Sequence, residues 1–175
     1  MLKTIGIVVA ALLGGLLIFA ATKPDTFTIQ RSASIKASPE ALYAQISDFH
    51  RWADWSPYDK LDPAMKKTYR GAESGVGAIY EWEGSDKVGQ GNMEIVEAVP
   101  GAKVVTKLNF VKPFQANNVA EFTLETKGDT THVTWAMRGP NSYMSKVMCI
   151  FIDMDKMVGK DFETGLGNLK ALAEK

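Results

Sequence analysis

The C-terminal stretch NSYMSKVMCIFIDMDKMVGKDFETGLGNLKALAEK, residues 141–175, sets what the rest of the chain must provide. Apolar residues recur in it at helical spacing: Met148, Phe151, Ile152, Val158, Phe162, Leu166, Leu169 and Leu172. That i, i+3, i+4, i+7 rhythm marks one buried helix face. Lys156, Lys160, Asp161, Lys170 and Glu174 take the wetter sides. The spacing predicts one long helix at the end of the chain. From residue 25 up to this stretch the sequence reads mostly as strand and turn, so the helix must lay its apolar stripe on a sheet.

Seven strands are predicted. Residues 26–35 come first, with Phe27, Ile29, Arg31, Ala33 and Ile35 on one side. Ser38-Pro39 reads as a helix start, with Ser at the N-cap and Pro in the first turn. The helix 39–47 carries Leu42, Tyr43 and Ile46 inward. Residues 49–63, FHRWADWSPYDKLDP, are aromatic-dense and broken by Pro57 and Pro63, giving one short helical turn and then loop. Strands follow at 65–70, 78–83, 90–99, 103–112, 118–126 and 132–138. Their inward residues include Tyr80, Trp82, Met93, Ile95, Leu108, Phe110, Phe122 and Trp135. Alternation with one wet face and tight turns indicates an antiparallel sheet. The expected fold class is α+β, with a first unit at residues 1–23 and one folded domain at 24–175.

Composition removes several function classes. Lys plus Arg and Asp plus Glu are 20 each, so the formal net charge is zero and nothing favours a nucleic-acid partner. One cysteine, Cys149, excludes an intrachain disulfide and is expected as a small buried hydrophobe. The two histidines flank no ligand pattern, and no metal or other cofactor is expected. Gly75-Val76-Gly77 and Gly89-Gln90-Gly91 lack the spacing of a dinucleotide loop.

Residues 5–21 carry no charge, and ten of these seventeen are Ile, Val, Leu or Phe. At the bilayer centre those ten contribute roughly −3 to −6 kcal/mol towards insertion. An uncleaved single-pass anchor is favoured over a cleaved signal peptide. Cutting after Ala20 or Ala21 would put the bulky Ile18 or Phe19 where a small residue is needed. The short positive N-terminus then stays cytoplasmic, which places the domain on the periplasmic, extracytoplasmic side.

The order strand, short helices, six strands, long helix resembles the helix-grip fold of the START-like (SRPBCC) superfamily. Two segments carry the likeness: Trp52-Ala53-Asp54-Trp55-Ser56-Pro57 followed by Asp62-Pro63, and residues 158–166 with Asn168-Leu169-Lys170. They are similar to motifs of bacterial members named for polyketide cyclase/dehydrase activity and lipid transport. The resemblance implies a curved seven-stranded sheet gripping the last helix, with a cavity between them. A small hydrophobic ligand or lipid in that cavity would meet Tyr80, Trp82, Met93, Phe110, Phe122, Trp135 and Met154, with Trp52 and Trp55 at its mouth. The same side chains could instead fill a dry core. Asp155 is the one carboxylate on the apolar stripe; it could orient a ligand or act as a base beside a tyrosine such as Tyr80 or Tyr143. Arg31, Arg70 and Arg138 are its possible partners. Three functions therefore stand open: a membrane-anchored carrier or binding domain with no catalytic residues, a cyclase/dehydrase-type acid–base enzyme, and a ligand-free interaction domain of the envelope.

Overall fold

The structure is a computed structural model and describes residues 2–175. An N-terminal helix α1 (Leu2–Ala21) leads into β1 (Thr26–Ile35). Helix α2 (Pro39–Ile46), a 3-10 turn (Phe49–Arg51), α3 (Trp52–Trp55) and α4 (Pro57–Leu61) follow. The remaining strands are β2 (Lys66–Gly71), β3 (Ala78–Glu83), β4 (Gln90–Val99), β5 (Lys103–Lys112), β6 (Ala116–Lys127) and β7 (Thr130–Pro140). Two helices, α5 (Tyr143–Phe151) and α6 (Met154–Ala173), end the chain.

The strands form one antiparallel, curved sheet in the order β1-β7-β6-β5-β4-β3-β2. Each neighbour pair is a hairpin except the closure of β1 on β7, so alternation along each strand fixes which face is buried. Register shifts in β4 at Gln90/Gly91 and Ile95/Glu97 add to the curvature. Ser38 caps α2 as expected, accepting from Ala41 N at 3.2 Å. Residues 49–61 form three successive turns rather than one turn and a loop. Asp48 caps the first of them, and the Trp52 and Trp55 indoles tie the set back to α2 by donating to the Ile46 and Gln45 carbonyls.

The C-terminal stretch differs from expectation. It is two helices, broken at Ile152-Asp153. Ile152 is extended (φ −122°, ψ 121°), and the Asp153 carboxylate accepts from Lys156 N at 3.0 Å, starting a new helix. An Asp at the N-cap followed by Asp155 in the first turn is itself a helix-start signature. The apolar run Ile150-Phe151-Ile152 masked it. Only α6 lies on the sheet, burying Phe162, Leu166 and Leu169. Phe151 and Ile152, expected in the buried stripe, are exposed, as are Met157 and Cys149. Cys149, Phe151 and Ile152 belong to α5 and its end, and α5 packs beside α1 instead of on the sheet, while Met157 lies on the outer side of the first turn of α6.

One seat fixes α6 on the edge strand. Arg31 projects from β1 over Gly159, between Asp155 one turn before it and Glu163 one turn after. Its Nε donates to Glu163 Oε1 at 2.7 Å; its Nη1 donates to Asp155 Oδ1 and the Gln30 carbonyl, and its Nη2 to Asp155 Oδ2 and the Asp155 carbonyl. Of the three candidate partners for Asp155, Arg31 takes it; Arg70 pairs with Glu81 and Arg138 with Glu121. A β-carbon at residue 159 would lie 2.0 Å from Arg31 Nη2. At Gly167, on the same helix, it would meet nothing within 4 Å. Gly159→Ala therefore destabilises the fold by about 1–3 kcal/mol, whereas Gly167→Ala stabilises it by up to about 1 kcal/mol. Thermal melts of the two variants check this. Asp155 is held below its ordinary value of 3.8, chiefly by its hydrogen bonds to Arg31. That stabilisation is present above the unfolded-state pKa and is lost as pH falls through the lower folded value. The melting-temperature gap between wild type and Asp155→Asn is accordingly open at neutral pH and closes below pH 3.8.

Candidate functional site

Strand register divides the sheet into two ends. Thr26 pairs with Pro140, Phe110 with Ala116, and Gln90 with both Lys112 and Glu83, so all lie at one end, where α1 enters. At the other end α2 is the closure. Its first turn meets the β4–β5 turn at Gly101, and its Leu42 and Ile46 are fully buried.

Trp52, Trp55, Phe122 and Trp135, four of the proposed lining residues, form a packed aromatic cluster under α6. Phe162 of α6 stacks on Trp135 at 4.1 Å with 10° between the planes; Phe122 stacks on the other side at 4.8 Å. Trp52 and Trp55 meet Phe122 and Trp135 edge-on at 5.7–6.4 Å and lie tilted against each other at 5.0 Å. Both are buried rather than at a mouth, since Trp55 is 0% exposed and Trp52 5%. Gly165 makes room for the stack: a β-carbon there would lie 2.8 Å from the Trp135 ring.

A second group sits on the inward face of β3, β4 and β5. Tyr80, Trp82 and Met93 are buried and Phe110 is half-buried. Trp82 packs edge-on to Phe110 at 5.7 Å, and its indole donates to the Val88 carbonyl at 3.0 Å. Gly91 lies across from Trp82, where a β-carbon would strike the ring at 2.5 Å. Burial pushes the Tyr80 hydroxyl pKa well above its usual value. Met154, half-buried at the start of α6, packs against the same core. Asp155 faces away from it: its side chain is 62% exposed and paired with Arg31.

Two buried polar atoms on this inward surface have no hydrogen-bond partner among the described residues: Asn118 Oδ1 on β6 and Trp135 Nε1 on β7. Asn118 is 7% exposed, and its amide contributes only a long contact to Met137 Sδ at 3.9 Å. It shares a face with Ala120, Phe122 and Leu124, so strand parity was sufficient to place it there. Tyr58 on α4 and Asp161 on α6 form another group with no sequence signal, being far apart in the chain. Asp161 is half-buried rather than on the wet side, and burial raises its pKa; burial and the nearby Asp161 raise that of Tyr58.

Two surface concavities border the domain. One, of about 450 Å³, is lined by Cys149 to Asp155 at the α5–α6 junction. The other, of about 260 Å³, lies between the β3–β4 loop and Lys112-Pro113. Neither lies between α6 and the sheet, where the aromatic cluster fills the space over β6 and β7.

No curated protein matches the chain in sequence. Solved structures do match in fold. The di-domain ARO/CYC StfQ from the steffimycin biosynthetic pathway aligns over 85% of this chain and 51% of its own, at 9% identity and a TM-score of 0.65. A Chromobacterium violaceum protein, CV1439, aligns over 87% and 99% at 18% identity and a TM-score of 0.60. Major latex-like protein 151 from Panax ginseng aligns over 86% and 99% at 15% identity and a TM-score of 0.58. At these identities the likeness is one of fold. The family described as polyketide cyclase/dehydrase and lipid transport matches residues 26–174, nearly all of the strand and helix elements built up above, and the chain belongs to that family.

Proposed function

We propose that the chain is a membrane-anchored binding or carrier domain for a small hydrophobic ligand or lipid, held on the inward face of the sheet beside α6, on the extracytoplasmic side of the membrane. The pair of buried, unpartnered atoms carries this reading. An unsatisfied buried acceptor or donor costs about 1–3 kcal/mol. A molecule with an apolar body and polar groups would relieve that cost, accepting from Trp135 Nε1 and donating to Asn118 Oδ1. The surroundings suit such a molecule, because Tyr80, Trp82, Met93, Phe110 and Met154 offer adaptable, polarizable surface. The anchor is α1, a 20-residue helix whose apolar span has a mean hydropathy of 2.5 and is 6% buried. Acid–base chemistry at Asp155 finds no support, since that carboxylate is ionised by Arg31 and turned away from the lining.

The test is mass spectrometry of small molecules extracted from full-length protein purified from membranes in mild detergent. Wild type carries an apolar molecule with a polar group. Asn118→Leu loses it while melting no lower than wild type, because the orphaned acceptor is gone. A wild-type chain that emerges empty and takes up no fluorescent fatty acid overturns the proposal.

A further inference from the structure

We propose that the end of the domain from which α1 leaves is seated in the bilayer surface, with α5 lying in the interface and Phe114 of the β5–β6 turn as a second point of contact. This rests on the reading of α1 as an anchor and adds to it the pose of the domain and the side from which an apolar ligand reaches it.

Chain geometry sets the pose. Only four residues separate Ala21, the last of α1, from Thr26, the first of β1. Fully extended they span at most about 14 Å. They are not free to swing. Asn141 N donates to the Asp25 carbonyl at 2.7 Å, the Asn141 amide donates to the Pro24 carbonyl at 3.1 Å, and Lys146 Nζ reaches Asp25 Oδ1 at 2.5 Å. Lys146 is buried on α5, so the leash is pinned to the β7–α5 junction. Tyr143, the first residue of α5, donates its hydroxyl to the Leu17 carbonyl at 2.9 Å, one turn from the end of α1. A tyrosine at that depth, beside the last turn of a spanning helix, sits at headgroup level. Helix α5 therefore begins where the bilayer ends.

Surface chemistry agrees with this placement. No side chain of α5 belongs to the core, and the helix packs beside α1. Met144, Met148 and Phe151 follow one another at i, i+4, i+7 on a single face. Met144 is 66% and Phe151 72% exposed, with Ile152 beyond them. Across the sheet end, the β5–β6 turn exposes Phe114 at 65%, beside Val111. Outside α1, all of the strongly exposed Phe and Met side chains among the described residues lie at this end or on the first turn of α6, whereas the far end exposes single valines, Val76 and Val99. Such a one-sided apolar rim next to a spanning helix fits burial in the headgroup and upper acyl region. The rim also borders the Trp82, Phe110 and Asn118 end of the inward sheet face, so a lipid leaving the bilayer would meet the lining without crossing water.

Site-directed quenching in full-length protein tests this. Cys149→Ser gives a cysteine-free chain, into which single cysteines are placed at Phe114, Met144 and Phe151, at Val76 and Val99 as far-end controls, and at Leu13 within α1. Each is labelled with bimane and reconstituted into phosphatidylcholine–phosphatidylglycerol vesicles. Lipids carrying a nitroxide near the headgroup should strongly reduce fluorescence at Phe114, Met144 and Phe151 and leave Val76 and Val99 bright. Quenching at Leu13 by deep nitroxides, with rim labels as bright as the valine controls, overturns the seated pose and leaves the anchor intact. No quenching at Leu13 overturns the anchor and the pose together.

Discussion

The arrangement depends on one arginine lying in a notch on a helix. Arg31 points inward from an edge strand, a position that ordinarily calls for an apolar side chain. It is accommodated because Gly159 leaves a gap under it and because two carboxylates, one helical turn to either side, take up its donors. A partly buried guanidinium without these partners would carry a desolvation cost. With them it fixes both the distance and the register of α6 on β1. Arg31 and Trp135 are cross-strand neighbours. Seating residue 159 over Arg31 therefore brings Phe162, three residues on, over the Trp135 ring, and Gly165, six residues on, beside it. The ion pairs are largely at the surface and are individually weak; their consequence is geometric.

That register explains why the aromatic residues divide. Beneath α6, ring stacks fill the space over β6 and β7, and Trp52, Trp55, Phe122 and Trp135 pack there as one cluster. Over β3, β4 and β5 no long helix is stacked. There the inward face is bordered by short turns and loops, with Val88 and Met65 packed at the end of β3. Loops and single turns open at lower free-energy cost than a helix held by a buried aromatic stack. If the fold admits a ligand, the cheaper route lies at this half, between Trp82, Phe110 and Asn118, and the polar atom left unpaired there is a consequence of the same unevenness.

The sheet was legible in the sequence because a period of two leaves no ambiguity about which side chains face the helix. Residues 26–35, 78–83, 90–99 and 103–112 form strands with the expected bounds, and Tyr80, Trp82 and Trp135 face inward. The break at Ile152-Asp153 was less so. Apolar residues continue through it at roughly helical spacing, and a local cap signal at Asp153 competes with that longer pattern. The partner of Asp155 was not legible at all, because three arginines were chemically equivalent and only the closed sheet brings Arg31 near, across 124 residues. Asn118 shows the opposite failing: strand parity already put it inside, but a search for greasy lining passes over an amide.

The broken helix gives the C-terminal stretch two separate tasks. Had residues 141–175 formed one rod along the sheet, Phe151 and Met148 would have been pulled toward β1, and the end of the sheet beside α1 would have been capped by a helix with its apolar face spent on the core. The turn at Asp153 releases the first nine-residue segment from that duty. It carries an apolar face with no protein to cover it, is pinned by Lys146 and Tyr143 to the base of α1, and stands directly in front of Met154, the first α6 residue that reaches the core. A short helix held at one end, apolar on its free side and hinged at an extended residue has few contacts to lose on moving. The physical asymmetry between α5 and α6, one packed beside α1 and the other locked by Arg31, thus concentrates any opening of the domain at the end from which α1 leaves.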